Sequence, residues 1–306
     1  MRTIVIAVAL VVTLVASVSG AEPKRFESVG AAVDAFIAAL RSNDQKVLLG
    51  MLGEAARPLV FSGDPVSDRA TAAKFVAEYD QRHQLHAGGG KVVLHVGTDD
   101  FPMPIPLVPD GPSWRWDAEA GKEEILARRI GRNELNAIQV CLAYVDAQRE
   151  YYSLDRDSNR ILEYAQRLGS TPGKRDGLYW PTKPGEPPSP LGDLVVKARG
   201  EGYRASHTGG RTPYHGYLYR VLLGQGPQAT GGAYDYVAGG HMIGGFALVA
   251  FPAQYGASGV MTFIVNHDGV VYQKDLGANT LQAAEAMKRF DPDDTWKRVD
   301  AAALKS

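Results

Sequence analysis

The amino-acid sequence predicts an α+β protein, on three observations. Apolar residues recur at helical spacing in several separate stretches, the longest at about 132–154. Short β-rich runs, two of them ended by Asp-Gly turns, collect in groups and do not alternate one-for-one with the helices. Helices therefore precede strands in each half of the chain, the order of helices laid against antiparallel sheets.

In the first half, Val29, Val33, Phe36, Ile37 and Leu40 mark an amphipathic helix ended by Asn43 and Asp44. A short second helix carries Leu48, Leu49, Met51 and Leu52, and a third covers roughly 68–83, with Ala72, Phe75, Val76 and Tyr79 on one face. Residues 91–96 form a compact strand. Pro102, Pro104 and Pro106 then interleave with Met103, Ile105 and Leu107, which suits an edge strand, because proline has no amide hydrogen to give a ladder. Asp110-Gly111 turns the chain into a returning strand at 113–117.

The second half opens with a helical run at 118–130, followed by Gly131. Glycine inside a helix costs about 1 kcal/mol, so a break or kink is expected there. Beyond it, Leu135, Ile138, Leu142 and Val145 follow at spacings of three, four and three, with Tyr152 one heptad on. Cys141, Tyr144 and Tyr151 form a neighbouring row. Five prolines within 181–190 make an extended surface loop. A helix at 194–203 and strands at 217–223, 243–251, 260–266 and 270–274 come next, the last two joined through Asp268-Gly269. Thr280 caps a final helix bearing Leu281, Ala284 and Met287. The domain plan is a leader at 1–21, an α+β domain at 26–117, and a helix packed on an antiparallel sheet at 118–300.

The leader reads as a secretory signal peptide. Arg2 is followed by an apolar run at 4–18, then by Ser19 and Ala21, small residues that place cleavage after Ala21. The run is shorter than the roughly 20 residues of a spanning helix, and no cysteine follows it to carry a lipid anchor. The expected location is the periplasm or the exterior, with no membrane span after cleavage. Cys141 is the sole cysteine, so no internal disulfide forms and the core must stabilise the chain. On an apolar helical row it reads as a buried, inert thiol. Without Arg2 the chain has 32 basic and 34 acidic residues, a net charge of −2. That gives no electrostatic case for binding nucleic acid or an anionic membrane.

Several long blocks carry a family resemblance: GKEEILARRIGRNELNAIQVCLAYVDAQREYY, LEYAQRLGSTPGKRDGLYWP, SPLGDL, PYHGYLYR, QGPQATGGAYDYVAGGHMIGGFALVAFPAQYG and GVMTFIVNHDGVVYQKDLG. Together they resemble the bacterial exported family known as domain of unknown function 2950, over nearly all of the mature chain. The resemblance implies export and a domain plan, and brings no activity, substrate or catalytic residue. Two fold likenesses stand beside it. The helix–helix–helix–strand order closing on Trp114-Arg115-Trp116-Asp117 is similar to cystatin-like and NTF2-like domains, in which a curved sheet wraps a long helix. The later helix feeds a sheet ending in Thr262, Phe263, Val265, Gly269, Val271 and Tyr272, which is similar to pilin-like heads. Its long helix is internal, which argues against a filament subunit, and likeness of fold licenses no function.

Standard catalytic signatures are absent. Gly256-Ala257-Ser258-Gly259 has the wrong spacing for a nucleophile elbow, Gly224, Gly226 and Gly231 do not fit a dinucleotide loop, and neither H-E-x-x-H nor a Walker A loop occurs. One stretch, 230–245, stands out: six of its sixteen residues are glycine, surrounding Tyr234, Asp235, Tyr236 and His241. Glycine lets backbone approach a ligand closely, so Asp235 and His241 are the candidate catalytic pair, as acid and base or as metal ligands. A tight structural loop whose Asp caps backbone amides accounts for the same residues. Tyr214, His215 and Tyr217 join Tyr234 and Tyr236 as candidate ligand-binding residues. Strand alternation puts His215, Tyr217 and Tyr219 on one face, where such rings bind a sugar or peptide or simply pack. His267 and Asp268 sit in a turn whose own chemistry suffices, and no metal or cofactor is called for. Arg128, Arg129, Arg132 and Glu134 are candidates for a salt-bridged seam between the halves. The expected function is a non-enzymatic binding or assembly module of the cell envelope, its partner an envelope protein or a small ligand. The alternatives are a periplasmic hydrolase using Asp235 and His241, and small-ligand binding in the N-terminal domain, which needs an open cavity beneath the sheet.

Overall fold

The computed structural model describes residues 22–156, 158–204 and 212–300, so the expected signal peptide lies outside the described residues. Helix α1 (Val29–Ser42) starts where the Ser28 hydroxyl accepts from the Ala31 amide and stops at Asn43, whose left-handed backbone closes the last turn. Asp44 caps α2 (Gln45–Leu52). A 3-10 turn at Glu54–Ala56 leads into α3 (Arg57–Val60) and then α4 (Pro65–Gln81). Helix α4 begins three residues earlier than its apolar pattern suggests, because Asp64 Oδ1 accepts from the amides of Val66 and Ser67 and Pro65 is preset for a first helical position.

Five strands follow: β1 (His83–Gly88), β2 (Lys91–Val96), β3 (Phe101–Pro102), β4 (Leu107–Asp110) and β5 (Ser113–Trp116). They form an antiparallel sheet in the order β1-β2-β4-β5, with β3 also on β2. Sequence periodicity does not show β1, and all six of its residues are exposed, so there is no alternation to read. Its pairing with β2 defines it, from His83↔Val96 to Gly88↔Lys91. The third helix therefore ends at Gln81, before His83. Behind the sheet, Phe36 of α1 packs at a tilt of 44° against the buried Trp116, 5.0 Å between ring centroids, in one core with Met51, Leu94 and Leu107.

Helix α5 (Ala118–Tyr152) is one continuous helix of 35 residues, with no break at Gly131. Ala118 and Ile125 pack into the first core and Ala137, Ile138, Cys141, Tyr144 and Val145 into a second. Each fully buried large apolar side chain is worth about 1.5–3 kcal/mol, so packing on both sides outweighs the cost of one glycine. A Cβ at Gly131 would meet open space, whereas one at Gly121 would lie 2.5 Å from the Pro104 carbonyl, where helix and loop touch. The buried seam also differs from the apolar count: Leu135 and Tyr152 are 43% and 37% exposed. The seam runs instead through Ile138, Cys141, Tyr144, Val145, Gln148 and Tyr151. Gln148 belongs there because its amide is satisfied, donating to Tyr144 Oη (2.9 Å) and Ala165 O (2.8 Å) and accepting from Ala165 N (2.8 Å). Cys141 is fully buried, and burial pushes its thiol up to about 12, which leaves it protonated and inert.

The remaining elements are α6 (Gly192–Gly200), β6 (Tyr217–Leu222), β7 (Gly224–Gln225), β8 (Tyr234–Asp235), β9 (Val237–Ala238), β10 (His241–Met242), β11 (Ala247–Pro252), β12 (Met261–Asn266), β13 (Val271–Asp275), α7 (Thr280–Ala286) and β14 (Lys297–Arg298). An antiparallel sheet runs β14-β13-β12-β11-β6, while β7-β8 and β9-β10 are small ribbons. All six residues of β11 are buried, so both of its faces are covered, and α5 and α7 both pack on it. At α7 the cap position is Asn279. Thr280 is the first helical residue, buried, and its hydroxyl donates back to Gly277 O at 2.6 Å.

The two cores are joined by side chains that bind backbone, which replaces the expected seam of paired charges. Arg129 donates through both terminal nitrogens to Pro58 O and Leu59 O, each at 2.6 Å. Four residues on, Asn133 donates to Ser258 O, and Glu134 Oε1 accepts from the amides of Val260 and Met261. Arg128 pairs locally with Glu124. From the other side, the buried Asp64 accepts through Oδ2 from Tyr203 Oη and Gly216 N, both at 2.8 Å. Gly131→Ala is expected to raise stability by about 0.5–1 kcal/mol in urea unfolding, whereas Gly121→Ala lowers it. Asp64→Ala should cost about 2–4 kcal/mol, the sum of a lost cap and two lost buried bonds; a loss under about 1 kcal/mol would show that the two halves are not held by this carboxylate.

Candidate functional site

Helix α4 has an apolar face but no buried residue: Ala72, Phe75, Val76 and Tyr79 are all only half-buried. Of these, Ala72 and Phe75 line a cavity of about 720 Å³ between α4, the helices α1 and α2, the segment 97–105 and the first half of α5. Phe36 and Leu40, Leu48 and Leu52, Phe75, Met103 and Ile105 form its apolar wall, closed by Ile125 of α5. The rings stand at the wall and do not fill the space; Phe36 and Phe75 meet edge-to-face at 6.1 Å.

Polar groups gather where α5 and α4 face each other. Asp68 accepts from Ser62 N at 3.1 Å, and burial raises its carboxyl above the usual range against the lowering effect of that bond and of Arg129. Burial likewise lowers the Arg129 guanidinium, with Asp68 opposing. Arg129 is thus committed to the α3 carbonyls and Asp68. Arg128 is paired with Glu124 and lies 5.1 Å over the Phe101 ring. Arg132, one turn further along α5 and on the cavity lining, has no hydrogen-bond or ion-pair partner among the described residues. Glu78 is occupied by Lys74 at 3.8 Å. The lining thus offers an apolar hollow with an uncommitted cation at one side.

A family model described as Protein of unknown function (DUF2950) matches residues 23–299. The chain belongs to this family. No curated protein and no solved structure matches it.

In this DUF2950 chain the glycine-rich stretch is spread over β8, β9 and β10. Asp235 is exposed and accepts from Arg289 Nη2 at 2.6 Å, while Arg289 Nη1 also holds the carbonyls of Gln225 and Tyr234. His241 Nδ1 lies 3.2 Å from Glu163 Oε2. No hydrogen bond or ion pair joins Asp235 to His241. Tyr236 is fully buried and donates to Gln225 Oε1 at 3.0 Å, whereas Tyr234 is exposed. Tyr217 is fully buried and donates to Met261 O at 2.8 Å. His215 lies before β6 with a left-handed backbone (φ 50°), outside the strand alternation that would set it beside Tyr217. It sits near Tyr203 and Tyr214, its Nε2 3.3 Å from Glu201, and burial lowers its pKa against the pull of that carboxylate. Burial pushes the Tyr214 hydroxyl up to about 12. The His267 ring lies against Tyr236 and Phe246, and its Nε2 is 3.9 Å from Asp268.

The cavity residues carry no motif; the sequence shows them only as apolar positions of separate helices and of the proline-interleaved run, with nothing to say that they surround one space. Tyr217→Phe should cost about 1 kcal/mol through loss of a buried hydrogen bond, and Asp235→Asn under about 1 kcal/mol, as for an exposed ion pair. Paired denaturant titrations check both, and a larger loss at Asp235 would reveal a structural role that its exposure does not show.

Proposed function

We propose that this protein is a binding module whose N-terminal cavity holds a small amphipathic molecule, an apolar body carrying one anionic head. The carrying observation is the cavity itself. Its volume of about 720 Å³ lies within the range of roughly 300–1,000 Å³ typical of small-molecule sites. An apolar hollow of this size costs stability while it holds only water, because the lining side chains lack packing partners. An apolar occupant recovers those contacts. Arg132 supports the anionic head, since it is the lining cation left without a partner among the described residues, with Arg128 one turn away. A carboxylate suits it, because guanidinium binds carboxylate in bidentate fashion.

The same proposal places the protein in the periplasm or outside the cell, on the strength of the leader at 1–21. A hydrolase built on Asp235 and His241 would need the two side chains to converge, and they are held by Arg289 and Glu163 respectively.

Displacement of an environment-sensitive fluorescent probe by long-chain fatty acids and the matching alcohols tests the reading. Ala72→Trp, which puts an indole into the cavity from α4, is expected to weaken both ligand types about tenfold, ~1.4 kcal/mol, with unchanged circular dichroism. Arg132→Glu should weaken the acids and spare the alcohols. Fatty acids that fail to displace the probe, or an Ala72→Trp variant that binds like the parent, would overturn the proposal.

A further inference from the structure

We propose that His86, His95 and Asp100 bind one divalent transition-metal ion, of the zinc, nickel or copper kind, on the outer face of the first sheet. The inference is independent of the cavity's ligand. Strand register brings the two histidines together. In the β1–β2 ladder His86 faces Val93 and His95 faces Gln84, so the two are diagonal neighbours on one face. The opposite face of β2 carries Val92, Leu94 and Val96 into the core, which turns His95 outward. The rings lie 4.1 Å apart at 28° between planes. The third group comes from the turn after β2. Asp100 takes a left-handed backbone (φ 53°), its amide donates to Gly97 O, and its Oδ2 lies 3.1 Å from His95 Nδ1.

One donor atom from each of the three residues lies within 4.8 Å of the others. Ligands held about 2.0–2.1 Å from a tetrahedral ion sit roughly 3.4 Å apart. The His95–Asp100 pair, at 3.1 Å, is already close to that separation. The exposed His86 imidazole, its donor atom within 4.8 Å of the other two, closes the remaining gap by a side-chain rotation. Turn chemistry accounts for the contact between Asp100 and His95, but it does not require a second imidazole stacked on the first. His83 shows the contrast. On the same strand, it is stacked on Tyr79 at 3.8 Å with its Nδ1 on the Tyr79 carbonyl, turned toward α4 and away from the group.

Two imidazoles and one carboxylate favour zinc, nickel and copper over magnesium or calcium, which prefer all-oxygen sites. Three protein ligands leave at least one coordination position for water. A bound ion would tie the exposed strand β1 to the turn whose Gly97, Thr98, Asp99 and Phe101 line the cavity.

Calorimetric titration of the untagged, metal-stripped chain with Zn²⁺ is expected to show one ion per chain, with Ni²⁺ competing and Mg²⁺ silent. His86→Ala and Asp100→Ala should each weaken binding at least tenfold, while His83→Ala leaves it unchanged. The melting temperatures of the metal-free variants, matched to the metal-free parent, separate loss of ligands from loss of fold. Histidine ring NMR gives a second readout: signals of His86 and His95 shift on zinc addition and those of His83 do not. Absence of zinc binding, or one-to-one binding that survives in His86→Ala, would overturn the proposal.

Discussion

Helix α5 contributes side chains to both hydrophobic cores, and at 35 residues it is roughly 50 Å long. Its first half closes the cavity with Ile125, Arg128 and Arg129, and its second half lies across β11, β12 and β13. Between them, Arg129, Asn133 and Glu134 reach carbonyls and amides of α3 on one side and of the chain around β12 on the other. A rigid rod gripped at both ends sets the distance between the cores, and the buried Asp64 fixes their rotation with a second attachment away from the rod. These contacts join charged or amide side chains to backbone groups, whose positions do not depend on rotamers. That makes them less sensitive to salt than a seam of paired surface charges.

The cavity exists because of this arrangement. Helix α4 is anchored at its start by Asp64 and Pro65 and lies against β2, while α5 is drawn toward α3 by Arg129. The two helices are thereby held apart, and the side chains between them do not collapse into the gap. A close-packed interior would have buried Ala72 and Phe75. Their half-exposure follows from the anchoring on either side.

Much of the architecture was legible from local chemistry. Asn43 and Asp44 end one helix and begin the next, Asp110-Gly111 turns β4 into β5, and the apolar run around Val249 reads as a strand. Each of these depends on residues a few positions apart. The failures share a cause as well. Strand β1 is exposed throughout and has no pattern until β2 pairs with it. Gly131 breaks nothing because distant packing outweighs its local cost. Gln148 is counted as polar but is buried, because Ala165, seventeen residues on, supplies both a donor and an acceptor.

The sequence by itself determined the α+β class, the family, the order of helices and strands and the inert state of Cys141, because helical and strand periods and turn residues act over short range. Tertiary structure alone decided which side chains meet. It gave Asp235 to Arg289 and His241 to Glu163, opened the hollow beneath α4, and set His86 beside His95 and Asp100. Those meetings follow from strand register and from the placement of whole helices. Both are fixed by the burial of residues far apart in the chain, and no spacing within a short window records them.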